Sequence, residues 1–96
     1  MSFKLIYHPD VREIDIPKLD KRVKERIRRA IESRLEVAPQ QYGEPLKRTL
    51  KGYWKLRVGD YRVVFKITKS EVWILGIIHR KEIYDRVRRR LRSSQS

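Results

Sequence analysis

Ninety-six residues make one domain, spanning residues 1–96, with one modest core. Lys and Arg number 25 against 12 acidic residues, a net charge of +13 that points to nucleic acid or an acidic protein as partner. With no cysteine, disulfides and thiolate catalysis are excluded. The longest apolar run, Val72 to Ile78, is too short to cross a bilayer, so no membrane association is expected. The start, Met1-Ser2-Phe3-Lys4, lacks the layout of a secretory signal, and a cytoplasmic location follows.

In chain order, Phe3 to Tyr7 reads as a first strand, and His8-Pro9-Asp10 ends it. Val11 to Ile16 forms a short helix limited by Pro17. Asp20 caps the next helix, in which Val23, Ile27, Ala30, Ile31 and Leu35 recur at helical spacing. Its Lys and Arg residues form a solvated back face, and Ala38-Pro39 closes it. Gln40 to Pro45 is a loop, and Leu46 to Leu50 leads into the next strand.

Gly52 to Lys66 alternates with period two on both sides of Gly59-Asp60, the signature of a tight β-hairpin. One face of that ribbon carries Trp54, Leu56, Val58, Tyr61, Val63 and Phe65 and belongs to the core. The other carries Tyr53, Lys55, Arg57, Arg62 and Lys66. Setting Arg57 opposite Arg62 is unfavourable in a sheet unless an anion lies between them. Thr68 to Glu71 makes a second turn. Val72 to Ile78, apolar on both faces, belongs inside a sheet beside the preceding strand and the first one. The polar run His79-Arg80-Lys81-Glu82 ends it abruptly. Ile83, Val87 and Leu91 then mark a last short helix rich in Arg, and Ser93 to Ser96 reads as a frayed tail. The expected fold is α+β, β-α-α-β-β-β-α, a mostly antiparallel four-stranded sheet. The helices pack on one face of it, an N-terminal helical pair with a short C-terminal helix.

No phosphate-binding glycine loop, HExxH pair or histidine cluster at metal-ligand spacing occurs, so neither metal nor cofactor is expected. His8 reads as structural, whereas His79, beside Arg80 at the end of a buried strand, is a candidate site residue.

Two strings, Trp54-Lys55-Leu56-Arg57-Val58-Gly59-Asp60-Tyr61-Arg62-Val63-Val64-Phe65 and His79-Arg80-Lys81-Glu82-Ile83-Tyr84, resemble the RelE/ParE toxin superfamily of toxin–antitoxin modules. The resemblance extends over nearly the whole chain. It implies a RelE-type toxin that cuts messenger RNA in the ribosomal A site, with a RelB-like acidic antitoxin that folds on binding. The ribosome and mRNA are then the other partners. By position, Lys55 and Arg62 match the family's basic residues on the central strands, Arg80 the Arg after the last strand, and Tyr84 the C-terminal Tyr. Tyr53 stands where relatives carry a second Lys, so the general base is open between His79 and Lys55. Tyr53, Arg57, Lys66 and Lys81 are the surrounding candidates for RNA contact. The alternative within the superfamily is a ParE-like poison of DNA gyrase, a protein-binding inhibitor and not a nuclease.

Overall fold

The computed structural model describes residues 2–47 and 50–94. After β1 (Lys4–Tyr7) the backbone winds through a π-helical turn, Val11–Asp15, and a 3₁₀ turn, Ile16–Lys18. The helical path does not stop at Pro17, because proline stands at the start of the new turn, where no N–H is needed. α1 (Lys21–Ala30) begins at Asp20, whose carboxylate accepts the Val23 N–H at 2.8 Å. A π-helical turn, Ile31–Leu35, prolongs it, and Ile27, Ala30, Ile31 and Leu35 are buried along one side. α2 (Pro39–Tyr42) is a single turn where a loop was expected. β2 (Glu44–Pro45), β3 (Tyr53–Val58), β4 (Tyr61–Ile67), β5 (Glu71–His79) and α3 (Ile83–Ser94) follow. Arg48 and Thr49 of the expected lead-in and the last two residues of the expected tail, 95 and 96, lie outside the described residues, and the tail's first two, Ser93 and Ser94, belong to α3.

The sheet has five strands in the order β1-β5-β4-β3-β2, one more than the sequence pattern predicts. The additional strand is β2, two residues long, pairing Glu44 with Lys55 and Pro45 with Trp54. A proline is tolerated there because an edge strand has a side with no ladder to complete. β1 runs parallel to β5, and the other pairs are antiparallel. β5 lies between β4 and β1, which matches its apolar character on both faces.

Two cores result, one on each side of the sheet. On the first, Leu56, Val63, Phe65, Val72, Ile74 and Ile77 meet Ile27, Ile31 and Leu35 of the N-terminal helices. On the second, Val64, Leu75 and Ile78 are covered by Ile83 and Val87 of α3. The helices therefore occupy both faces and not one. Adjacent strand residues alternate sides, so a strand that is apolar at Ile77 and Ile78 alike needs cover on both.

β5 departs from strict alternation once. Val64 pairs with Gly76 and Phe65 with Ile74, so Leu75 is an extra residue in the ladder, a β-bulge. Just there β1 has ended, with the His8 N–H on the Ile74 carbonyl at 2.8 Å. A buried ion pair takes over the strand edge. Asp15 accepts the Ile77 N–H at 2.9 Å, and Arg90 Nη1 donates to the Leu75 carbonyl at 3.0 Å. Arg90 also grips Asp15 with both terminal nitrogens, at 2.7 and 3.0 Å, and its Nε lies 3.4 Å from Asp10 Oδ2. Asp15 is 4% exposed and Arg90 7%. Burial opposes the Arg90 charge, but the hydrogen bonds and charge of Asp15, with Asp10 nearby, outweigh it and raise its pKa. Gly76 leaves the room this needs: a Cβ there would come within 2.8 Å of Ile78 Cδ1 and 3.1 Å of Arg90 Nη1.

Phe65 is fully buried between the sheet and the N-terminal helices, so Phe65→Ala should cost about 3–5 kcal/mol in urea denaturation. Asp15→Ala removes the buried carboxylate that both terminal nitrogens of Arg90 grip and should cost about 3 kcal/mol or more. The double variant Asp15→Ala with Arg90→Met should recover a good part of that loss, as a double-mutant cycle on denaturation midpoints would show.

Candidate nucleic-acid interface

The β3–β4 register sets the site. Arg57 faces Arg62, Lys55 faces Val64, and Tyr53 faces Lys66. All six lie on the sheet face that α3 partly covers, since Leu56, Val63 and Phe65 belong to the opposite core. Val64 is the apolar floor of this face, and the charged side chains border it.

Arg62 does not extend freely. Its Nη1 donates to the Gly59 carbonyl at 3.0 Å and the Tyr61 carbonyl at 2.9 Å. The remaining guanidinium N–H groups make no hydrogen bond to any described residue, which leaves a fork suited to phosphate oxygens. Arg80 joins the same turn from the other side of the sheet's end. Its N–H donates to the Asp60 carbonyl at 2.9 Å, and its Nε lies 3.8 Å from Asp60 Oδ1. Two arginines thus converge on Gly59-Asp60, one from β4 and one from the segment after β5.

Tyr84, in the first turn of α3, is half-buried against the second core, and the Arg88 guanidinium lies 5.9 Å from its ring centre. It therefore stands on the same side of the sheet as Lys55 and Arg62. Lys66 is exposed, with Nζ 5.8 Å from the Tyr53 ring centre. Lys81 is exposed in the turn before α3.

His79 is not brought to this group. It pairs with Tyr61, whereas its neighbour Ile78 pairs with Arg62, so its side chain belongs to the opposite face. There it meets the Tyr61 ring edge-on at 5.6 Å, and its Nδ1 accepts the Lys81 N–H at 3.3 Å. It lines a small cavity of about 80 Å³ with Asp15, Lys18, Tyr61, Glu82 and Arg86 among others.

Two features escape the sequence pattern. The back of α1 is more than a solvated face: Arg22, Arg26 and Arg29 line an open groove of about 720 Å³ with Arg34, Arg57 and Val58. Their spacing of four and three residues is the one signal in the sequence, but it does not reveal that the edge of β3 lies opposite. The other is Trp73. It reaches the basic face because of the bulge at Leu75, and it is the register partner of Lys66. Among the described residues no group of three or more His, Cys, Asp or Glu side chains is arranged to hold a metal ion. No helix among them is long and apolar enough to cross a membrane.

A family model described as the ParE toxin of type II toxin–antitoxin systems, parDE, matches residues 5–84. The chain belongs to this toxin family. Solved structures of the wider RelE/ParE superfamily share its fold. A chain of the toxin–antitoxin complex RelBE2 from Mycobacterium tuberculosis aligns at 27% identity, covering 82% of this chain and 99% of that one, with a TM-score of 0.76. A chain of the RelB–RelE antitoxin–toxin complex from Methanococcus jannaschii aligns at 20% identity over 84% of this chain and 96% of that one, TM-score 0.65. A mutant of Escherichia coli toxin RelE in the free state aligns at 17% identity over 94% and 98%, TM-score 0.71. No curated protein matches the sequence. The ParE toxin family member described here thus carries a basic, α3-flanked sheet face on a RelE-like scaffold.

The turn that organises this face is conformationally demanding. Gly59 has φ +61°, and a Cβ there would stand 3.0 Å from Arg26 Nη1. Gly59→Ala should therefore cost about 1–2 kcal/mol. Asp60→Ala removes only an exposed ion pair and should change stability by less than about 1 kcal/mol. Thermal melts of the two variants side by side check the contrast.

Proposed function

We propose that this toxin is a ribosome-dependent endoribonuclease that cuts messenger RNA in the A site and so inhibits translation in the cytoplasm. The observation that carries the reading is the grouping of Lys55, Arg57 and Arg62 on one sheet face, with Arg80 tied to the turn that Arg62 braces. A structural surface has no need of like charges paired across strands. An RNA phosphate does, because its oxygens gain charge as the bond breaks.

In this mechanism the base takes the proton of the 2′-hydroxyl, and the 2′-oxygen attacks the adjacent phosphorus. The bond from phosphorus to the 5′-oxygen breaks, leaving a 2′,3′-cyclic phosphate and a 5′-hydroxyl that has gained a proton. Lys55 is the base on grounds of position, since it shares the face with Arg62 and His79 does not. Arg62 and Arg80 hold the phosphate oxygens. Tyr84, on the same side, either stacks on a base or hands its hydroxyl proton to the leaving oxygen. Tyr53, Arg57, Lys66 and Lys81 bind the flanking strand.

The partner that restrains this activity is an acidic antitoxin of the RelB kind, disordered alone and folding along the basic surfaces. Charge pairing would speed its association as salt falls. The family model is described as ParE, and the competing reading is therefore the ParE-like one, a gyrase poison acting by protein contact.

Programmed ribosomes decide between them. Arg62→Ala should lose about 10²-fold or more in cleavage with its melting temperature little changed, because relief of the repulsion with Arg57 offsets the two hydrogen bonds the turn loses. Lys55→Ala should lose about 10²–10⁴-fold, whereas His79→Gln should keep most activity. A wild-type chain that cuts no mRNA but traps gyrase on DNA establishes the other reading.

A further inference from the structure

The bulge in β5 creates a row on the basic face that alternation along the sequence would not. Lys66 on β4 pairs with Tyr53 on β3 and with Trp73 on β5. The row thus reads aromatic, ammonium, aromatic across three strands, roughly 10 Å from end to end at ordinary strand spacing. Trp73 is 46% exposed, an unusual state for a large ring on an inner strand. Its Nε1–H donates to Glu71 Oε1 at 3.1 Å, which fixes the indole. The row borders a groove of about 460 Å³ also lined by Tyr7, His8 and Leu75. That volume is in the range of small-ligand sites, roughly 300–1,000 Å³.

We infer that the Tyr53–Lys66–Trp73 row is a stacking subsite for a base of single-stranded RNA flanking the scissile phosphate, with Lys66 on the adjoining phosphate. The inference rests on the proposed reading of the face as an mRNA site. Base and phosphate alternate along a single strand, and here π faces and an ammonium alternate likewise. Stacking on an aromatic ring is indifferent to base identity in kind but graded in strength. Tyr53 is two residues along β3 from Lys55, a step of about 6.6 Å, so a strand lying over Lys55 and Arg62 continues onto the row. An apolar peptide would use the rings but leave Lys66 without an anion between them.

Trp54 and Trp73 are the two tryptophans, and Trp54 is stacked on Phe65 in the opposite core. In a full-length Trp54→Phe background, Trp73 alone reports. The probe is a 2′-O-methyl RNA hexanucleotide, which lacks the nucleophile and cannot be cut. Binding should quench Trp73 fluorescence. Trp73→Leu should weaken binding, followed by anisotropy of a labelled probe, roughly 5- to 100-fold with an unchanged salt slope. Lys66→Gln should lower the slope of log affinity against log salt by about 0.7. Circular dichroism melts verify that each variant folds. If the wild type binds no oligonucleotide, both the subsite and the RNA reading of the face are overturned. If the wild type binds and Trp73→Leu binds as tightly, the subsite alone is overturned. Quenching by an acidic peptide but not by the oligonucleotide assigns the groove to a protein and overturns it too.

Discussion

The buried Asp15–Arg90 pair ties together three parts of the chain that lie far apart in sequence. Asp15 belongs to the first helical turn, Arg90 to the last helix, and both hydrogen-bond the backbone of β5. Where β1 stops, a sheet edge would leave the Leu75 carbonyl and Ile77 N–H facing the interior without partners. Buried backbone groups of that kind are costly. The carboxylate and guanidinium replace the missing strand and neutralise one another. The same contact fastens α3 across the second face, so the site's cover depends on a residue in the first helical turn.

Fastening α3 has consequences for chemistry. Val64, Leu75 and Ile78 form an apolar floor in the middle of a basic face, and α3 covers it while leaving the charged border open. Tyr84 stands in the first turn of that helix and Arg90 less than two turns further on. The bulge at Leu75 serves the same arrangement, giving α3 another apolar side chain to cover and admitting Arg90 beside Gly76.

The family and its structural relatives span proteins described as ParE and as RelE toxins on one scaffold. A shared fold does not settle chemistry; the side chains on one face do. In this chain that face concentrates Lys55, Arg57, Arg62 and Lys66, and the positions are dictated by a tight hairpin whose turn requires Gly59 at a positive φ. The hairpin is thus scaffold and candidate site at once: its inner residues build one core, and its outer residues offer the cations.

Much of this was legible in the chain itself. Period-two alternation about Gly59-Asp60 determined the hairpin, its register and the division of Trp54, Leu56, Val63 and Phe65 from Lys55, Arg57 and Arg62, because a strand has only two faces and only one can be dry. The helical spacing from Val23 to Leu35 and the cap at Asp20 likewise determined α1. Tertiary structure decided the rest. The face that α3 covers, the side on which His79 emerges, the pairing of Asp15 with Arg90 and the turning of Trp73 toward Lys66 all hang on contacts between residues far apart in the chain. The bulge shows why: a single extra residue inverts the alternation beyond it, and the buried pair beside it, 75 residues apart in sequence, is invisible to any local pattern.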